Sequence, residues 1–275
     1  MEKDNQMNKM FVVTHKTIEN KINKDGYLYI GVSRIAKDLE FYDDTNDNIN
    51  SKNPTYCELT TLYWIWKNVK CDNVGLSHYR RFFVKETSNN SYDVCDLDYL
   101  NSILDNSDII LPKKINFGVS ILKQYEIAHR NDALYKICKR IVEKDNTYSD
   151  VIKKFFKEKE MYCYNMFYCK KELIDKYCAW LFDLLFDFEK DVNMDGWRDY
   201  DKRLYGFLSE RLFNIWIIHE NLNVTQIDVA MNDTFPTDGG CVNHYSVKKD
   251  LIYYRNSLIR AINRHLWVRN STKKK

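Results

Sequence analysis

The sequence is short of the features that mark linkers, membrane spans and nucleic-acid binders. It contains only 3 prolines and 8 glycines in 275 residues, so long disordered linkers are not expected. Its longest apolar clusters, such as LYWIW and NIWII, are far below the ~20 residues that a transmembrane helix needs. The net charge is only +3, which argues against nucleic acid as a partner.

Several signature motifs are also missing. Neither GxGxxG nor GxxxxGK[ST] occurs, which excludes a dinucleotide fingerprint and a P-loop. None of the eight cysteines forms CxxC, and in a chain of this length that pattern predicts reduced, buried thiols. The start, MEKDNQMNK, lacks the apolar stretch of a signal peptide. We therefore expect a soluble protein of the cytoplasm.

The residues that are present, 44% hydrophobic and 15% aromatic, alternate between strand and helix patterns. Strands are predicted at 11–14, 27–32, 74–78, 108–112 and 161–169, and helices at 55–68, 99–106, 119–156, 171–189 and 206–218. Such alternation predicts an α/β domain with a mostly parallel central sheet.

Polar residues follow the predicted strands where the strands end. They are Thr14-His15-Lys16, His78-Tyr79-Arg80-Arg81 and the Asp- and Asn-rich loop 43–53. Because ligands bind at the carboxyl ends of parallel strands, we expect these stretches to meet at one cleft. Two adjacent arginines match the oxygens of a diphosphate. The alternative is that one of them pairs with an internal carboxylate.

Two groups of acidic residues suggest chemistry for this cleft. Asp43, Asp44 and Asp47 could ligate a divalent metal that bridges phosphates, or could cap the next helix or be solvated. Glu210, in GFLSERL, could take a proton from an attacking hydroxyl. It could instead form a salt bridge with Arg211.

Two further polar residues lie in apolar surroundings. His129 in QYEIAH and Asn165 in YNMF could each hydrogen-bond a sugar hydroxyl. The plainer interpretation is a structural role, because a buried amide or imidazole must find partners inside the protein.

Taken in order, several blocks resemble one known family. VVTHK, DDTNDNINSKNPTYCELTTLYWIWKN, VGLSHYRRFF, DIILPKK, QYEIAH, YNMF, WLFDLLFDFE and GFLSERLFNIW resemble the DUF4422 family of capsular and exopolysaccharide glycosyltransferases, some of them galactofuranosyltransferases. The resemblance spans roughly residues 10–220.

The resemblance implies a GT-A-like (Rossmann-like) layered α/β/α domain over residues 1–246. It implies inverting transfer, with Glu210 as base, from a nucleotide-diphosphate sugar such as a UDP-sugar or UDP-galactofuranose to a glycan or lipid-linked acceptor in surface polysaccharide synthesis. The donor residues it implies are Thr14, His15, Lys16, Asp43, Asp44, Asn48, Lys52, Asn53, His78, Tyr79, Arg80 and Arg81. On the acceptor side it implies Tyr125, His129, Asn165 and Met166.

The chain departs from the family pattern in two ways. Asn46 replaces a glycine in the loop, although asparagine tolerates left-handed backbone better than most residues. No DxD follows a mid-chain strand, so the need for Mn²⁺ or Mg²⁺ stays open and no cofactor is certain. The arginines could supply the charge instead.

The C-terminal residues 247–275 mix Lys and Arg with Leu, Ile and Trp. A basic amphipathic helix of this kind can lie on the inner face of an anionic membrane, or can pack as an ordinary terminal helix. The alternative function for the whole chain is a non-catalytic nucleotide-sugar or glycan-binding module of the same fold.

Overall fold

The computed structural model describes residues 7–231, except 20, 33, 35, 89–91 and 130, and residues 241 and 242. The predicted C-terminal helix lies outside these residues. The strands are β1 Asn8–Thr14, β2 Tyr27–Gly31, β3 Phe41–Tyr42, β4 Asn73–His78, β5 Arg81–Glu86, β6 Tyr92–Val94, β7 Ile109–Pro112, β8 Ile115–Asn116, β9 Glu160–Met161, β10 Phe167–Lys170, β11 Val224–Met231 and β12 Cys241–Val242. The helices are α1 Asn53–Tyr56, α2 Leu59–Asn68, α3 Leu97–Leu104, α4 Ile121–His129, α5 Ala133–Lys144, α6 Tyr148–Lys157, α7 Lys171–Glu189, α8 Asp199–Lys202 and α9 Leu204–His219.

Ten of the described strands form one sheet, in the order β12-β6-β5-β11-β7-β10-β4-β1-β2-β3. Strands β4, β1, β2 and β3 run parallel to one another, as the alternating pattern predicts. By contrast, β10 is antiparallel to both β4 and β7, and β5 is antiparallel to β11 and β6. The prediction of a mostly parallel sheet is therefore wrong, and the sheet is mixed.

The mixed topology has two local causes. Tyr79 and Arg80 form a two-residue turn, so β4 continues directly into the antiparallel β5. Tyr164 and Asn165 form a second turn, from which β10 enters the sheet beside β4 with Phe167 opposite Leu76. The connection between β4 and β5 is too short for the helical crossover that a parallel pair requires. The chain between β4 and β10 does contain helices, α3 to α6, and there the turn at Tyr164 and Asn165 precedes the antiparallel entry of β10.

The hydrophobic core covers both faces of the sheet. Residues 10–14 of β1 are buried without a break, as expected for a strand covered on both sides. The helix α7 matches its predicted bounds and packs against α2 and α9. Leu181 and Leu185 of α7 are fully buried, and each such side chain contributes roughly 1.5–3 kcal/mol by leaving water.

Two predicted elements are interrupted by residues with positive φ. The predicted helix 55–68 breaks at Cys57, whose φ is 54°, so α1 and α2 are separate. The predicted strand 161–169 breaks at Tyr164 and Asn165, whose φ angles are 79° and 52°. Positive φ is costly for residues other than glycine and persists only where the surroundings enforce it.

Close packing explains the break at Cys57. A Cβ placed on Gly206 of α9 would lie 3.0 Å from Cys57 Sγ, so the missing side chain of Gly206 is what lets α1 approach α9. In the described ranges, none of the helices has the length and apolar composition of a bilayer span. The seven cysteines whose side chains the structure describes form no disulfide, as the sequence predicts.

Candidate functional site

A cavity of about 910 Å³ opens at the carboxyl ends of β1 and β4. The helices α4, α8 and α9 and the α1–α2 break form its walls. Nine residues predicted from the sequence line it: Thr14, His15, Asn53, His78, Tyr79, Arg80, Arg81, His129 and Glu210. The two predicted strand ends therefore do meet at one cleft.

The acidic loop contributes less to this cavity than the sequence suggests. Asp43 is buried outside it and accepts hydrogen bonds from Asn50, Thr60 and Thr61. Asp44 pairs with Arg34 through two hydrogen bonds of 2.6 and 2.7 Å. In the described part of the chain, no three His, Cys, Asp or Glu side chains come together as metal ligands.

The other predicted loop residues serve the fold around the cavity. Asn48 bonds the backbone of residues 46 and 50, and Lys52 forms an ion pair with Glu189 at 2.7 Å. Lys16 closes the end of β1 by donating its backbone N–H to Thr14 Oγ1. None of these three side chains lines the cavity.

Three residues predicted on the acceptor side also lie behind the cavity wall. Tyr125 is buried, and its hydroxyl donates to Asn131 Oδ1. Met166 is fully enclosed in the core. Asn165 is buried too, but its amide reaches a residue that lines the cavity, Glu58.

The turn at Tyr164 and Asn165 holds three cavity residues together. Tyr164 N donates to Glu210 Oε1 at 2.8 Å, and Tyr164 O accepts from His78 Nε2 at 2.6 Å. Asn165 Nδ2 donates to Glu58 Oε1 at 2.7 Å. Because β10 runs antiparallel to β4, the turn that precedes β10 arrives at the carboxyl end of β4. Strained turns of this kind cluster at functional sites.

His78 is neutral in this arrangement. Burial and the nearby positive charge of Arg81 lower its pKa to about 4. Its Nε2 must carry a proton, because the carbonyl oxygen of Tyr164 can only accept. His78 therefore acts as a fixed hydrogen-bond donor that supports the turn.

Glu58 and Glu210 place two carboxylates in the cavity. Burial raises the pKa of each above its usual value, and the charge of Glu58 adds to the rise at Glu210. Arg211 opposes that rise, because its Nη1 donates to Glu210 Oε2 at 3.0 Å. Raised carboxylate pKa values beside cations are typical of groups that exchange protons with a ligand.

Glu210 lies in the middle of its helix. It is the seventh residue of α9, so the helix dipole adds little there. The predicted alternative, a salt bridge with Arg211, is present. Arg211 is itself buried and donates to Gln124 Oε1 at 2.7 Å, which makes it a fixed counter-charge.

Arg203 supplies an accessible cation to the opposite wall. Its Nε donates to Cys57 Sγ at 3.2 Å, and its guanidinium lies 5.5 Å from the ring of Phe207. Burial and the charge of Glu58 raise the pKa of the Cys57 thiol to about 11, so the uncharged sulfur does not neutralise Arg203, whose charge interacts instead with that of Glu58. Arg203 can therefore meet an anion in the cavity.

Sequence reasoning missed several lining residues: Cys57, Glu58, Gln124, Arg198, Tyr200, Arg203, Phe207 and Arg211. One signal was available for Glu58, a charged residue directly before the apolar run LTTLYWIW. Arg198 and Arg203 do not follow a predicted strand, so the expectation that ligands bind at the carboxyl ends of strands could not identify them.

Comparisons with known proteins identify the family of the chain and one structural neighbour. A model of the family described as domain of unknown function (DUF4422) matches residues 9–221, a range that contains every residue that lines the cavity. The solved apo structure of the bifunctional glycosyltransferase WbbM is 30% identical and superposes with a TM-score of 0.70. That match covers 82% of this chain and 45% of that chain, so this chain spans less than half of WbbM. No curated protein matches the chain significantly.

Proposed function

The chain belongs to the DUF4422 family, and from that premise we propose that it is a glycosyltransferase that moves a sugar from a nucleotide-diphosphate sugar to a hydroxyl group. The observation that carries this proposal is the composition of one cavity, which places arginines and two carboxylates at the carboxyl ends of β1 and β4. The likeness to WbbM, a bifunctional glycosyltransferase, supports the same role.

The donor is proposed to bind across the strand ends. Thr14 and His15 would lie beside the nucleoside, and Arg80 and Arg81 beside the diphosphate, with Arg203 added from the residue that precedes α9. Arginine suits this task because its planar fork matches phosphate oxygens and stays charged. These cations would stabilise the negative charge that develops on the leaving diphosphate.

Transfer is proposed to proceed in one inverting step. The acceptor oxygen forms a bond to the anomeric carbon while the bond from that carbon to the diphosphate oxygen breaks. Glu210 takes the proton from the acceptor hydroxyl, and the nucleoside diphosphate leaves with the electron pair. Glu58, the second carboxylate of the cavity, is the rival base.

The family resemblance supports a more specific proposal for the two substrates. We propose a UDP-sugar, UDP-galactofuranose among the candidates, as donor. A glycan or lipid-linked acceptor of surface polysaccharide synthesis is proposed on the other side. The assays are run with and without Mn²⁺ or Mg²⁺, because the proposed reaction step assigns no role to a metal.

A thermal-shift screen with transfer assays tests the proposal. The full chain is heated with UDP-, GDP-, CDP- and dTDP-sugars, each with and without Mn²⁺. A donor at about 100 times its Kd stabilises the folded state by ~2.7 kcal/mol and raises the melting temperature. Transfer to water or to added glycans is then measured with the donor that binds.

Variants separate the proposed roles. Arg203→Ala should weaken donor binding about tenfold or more, whereas Arg34→Ala, an exposed arginine outside the cavity, should not. Glu210→Gln should keep donor binding but lower transfer by about 10²–10⁴. If Glu58→Gln alone does so, the base is Glu58. Donor binding without transfer to water or glycans would favour the non-catalytic binding module, and binding of no nucleotide sugar would overturn both.

A further inference from the structure

Three aromatic rings form a platform at the α8–α9 end of the cavity. His129 of α4 lies 4.2 Å from Phe207 of α9 and is stacked at 6.3 Å on Tyr200 of α8. Tyr200 and Phe207 lie 5.0 Å apart. All three residues line the cavity, and we propose that they form the subsite for the acceptor sugar, an inference that rests on the proposed glycosyl transfer.

Tyr200 gives the platform the exposed surface that a ligand needs. Tyr200 leaves 52% of its surface accessible, which is unusual for an aromatic ring that already contacts two others. The C–H face of a sugar ring can pack on such aromatic rings, while its hydroxyls keep hydrogen bonds at the rim. An aromatic surface with polar neighbours therefore fits a sugar better than a purely apolar molecule.

His129 provides an independent sign of a missing partner. The residue is only 5% exposed, and its Nδ1 has no hydrogen-bond partner among the residues that the structure describes. A buried ring nitrogen without a partner is costly. Burial and the charges of Arg211 and Arg203 keep the imidazole neutral by lowering its pKa well below the usual value. Because this nitrogen is shielded, a sugar hydroxyl would supply the missing hydrogen bond only if the rings around it shift.

The position of the platform points to the acceptor rather than to the nucleoside. Phe207 and Glu210 are three residues apart on α9, and residues at that spacing lie on the same helix face. A sugar on the platform would thus have hydroxyls close to the proposed base. The other aromatic pair of the cavity, His15 and Tyr79, follows the strand ends at 5.3 Å from ring to ring and is the better place for the nucleoside.

Ligand-observed NMR on the full chain tests the subsite. The probes are the methyl glycosides of D-galactose, D-glucose, D-mannose and D-galactofuranose, together with UDP and UDP-glucose. Tyr200→Ala and the milder Phe207→Leu should each weaken binding of the methyl glycosides about tenfold and leave UDP binding within about twofold. Tyr135→Ala is the matched control, because Tyr135 is 61% exposed on α5 and lies outside the cavity.

Several outcomes overturn the subsite. One is that no methyl glycoside binds the unaltered protein, and another is that both variants bind the glycosides normally. A third is that Tyr200→Ala weakens the binding of UDP itself, which would place the uracil ring on the platform. A loss confined to UDP-glucose would assign the platform to the donor sugar. Each of these leaves the proposed transfer standing if nucleotide sugars still bind and turn over, whereas failure there removes the proposed function itself. Unchanged circular dichroism confirms that the variants fold.

Discussion

Asn165 is expected to be one of the most sensitive polar positions of the chain. Its Nδ2 donates to Glu58 Oε1 at 2.7 Å and to Ser209 Oγ at 2.9 Å, and the residue is buried with a φ of 52°. A hydrogen bond to a charged group contributes about 1.5–3 kcal/mol and a neutral one about 0.5–1.5 kcal/mol. Alanine also meets about 1 kcal/mol of left-handed strain. Asn165→Ala should therefore lower the free energy of unfolding by about 3–5 kcal/mol.

Urea unfolding followed by circular dichroism measures this loss as a lower midpoint at an unchanged slope. Asn165→Gly loses the same hydrogen bonds without the strain, so it should be less costly than alanine by up to about 1 kcal/mol. Asn221→Ala is the matched control, because Asn221 also has a positive φ of 51° but is exposed, and it should cost only the strain. A loss below about 1 kcal/mol in Asn165→Ala would refute the role assigned to the turn.

Two further predictions concern the same cleft. His78 has a pKa of about 4 in the folded protein, below its value in the unfolded chain. Its contribution to the free energy of unfolding is therefore fully present above about pH 6.5 and is lost as the pH falls towards 4. Stability should drop by about 2 kcal/mol more between pH 7.5 and 5 in the unaltered protein than in His78→Gln; equal drops in urea unfolding would contradict this. Gly206→Ala should cost about 1–2 kcal/mol because its Cβ meets Cys57, yet should stabilise the Cys57→Gly background by up to about 1 kcal/mol through helix propensity. If Gly206→Ala destabilised the protein both with and without Cys57→Gly, a contact with Cys57 would not be the cause of the loss.

Elements whose pattern is local could be predicted from the sequence. The apolar spacing of α7 fixes its bounds, because packing and helix propensity agree along its whole length. The strand ends at Thr14 and His78 meet as expected, because β1 and β4 are parallel neighbours. In each case the pattern that predicts the element lies within the element itself.

The breaks at Cys57 and Asn165 could not be predicted in the same way. Each adopts positive φ without being glycine, and the cause lies far along the chain: Gly206 for one, Glu58 and Ser209 for the other. The same holds for Arg203, which reaches the cavity through its contact with Cys57. Tertiary contacts of this kind override local preference.

The hydrogen bonds made by the turn at Tyr164 and Asn165 also bear on how the protein folds. They join residues that are 46, 86 and 107 positions apart. Contacts that close such long loops form late, because the chain entropy must be lost before they can stabilise anything. Glu58 and Glu210 should thus reach their final positions only late in folding. A fragment that ends before Glu210 should therefore not form a cleft that binds or reacts with substrate.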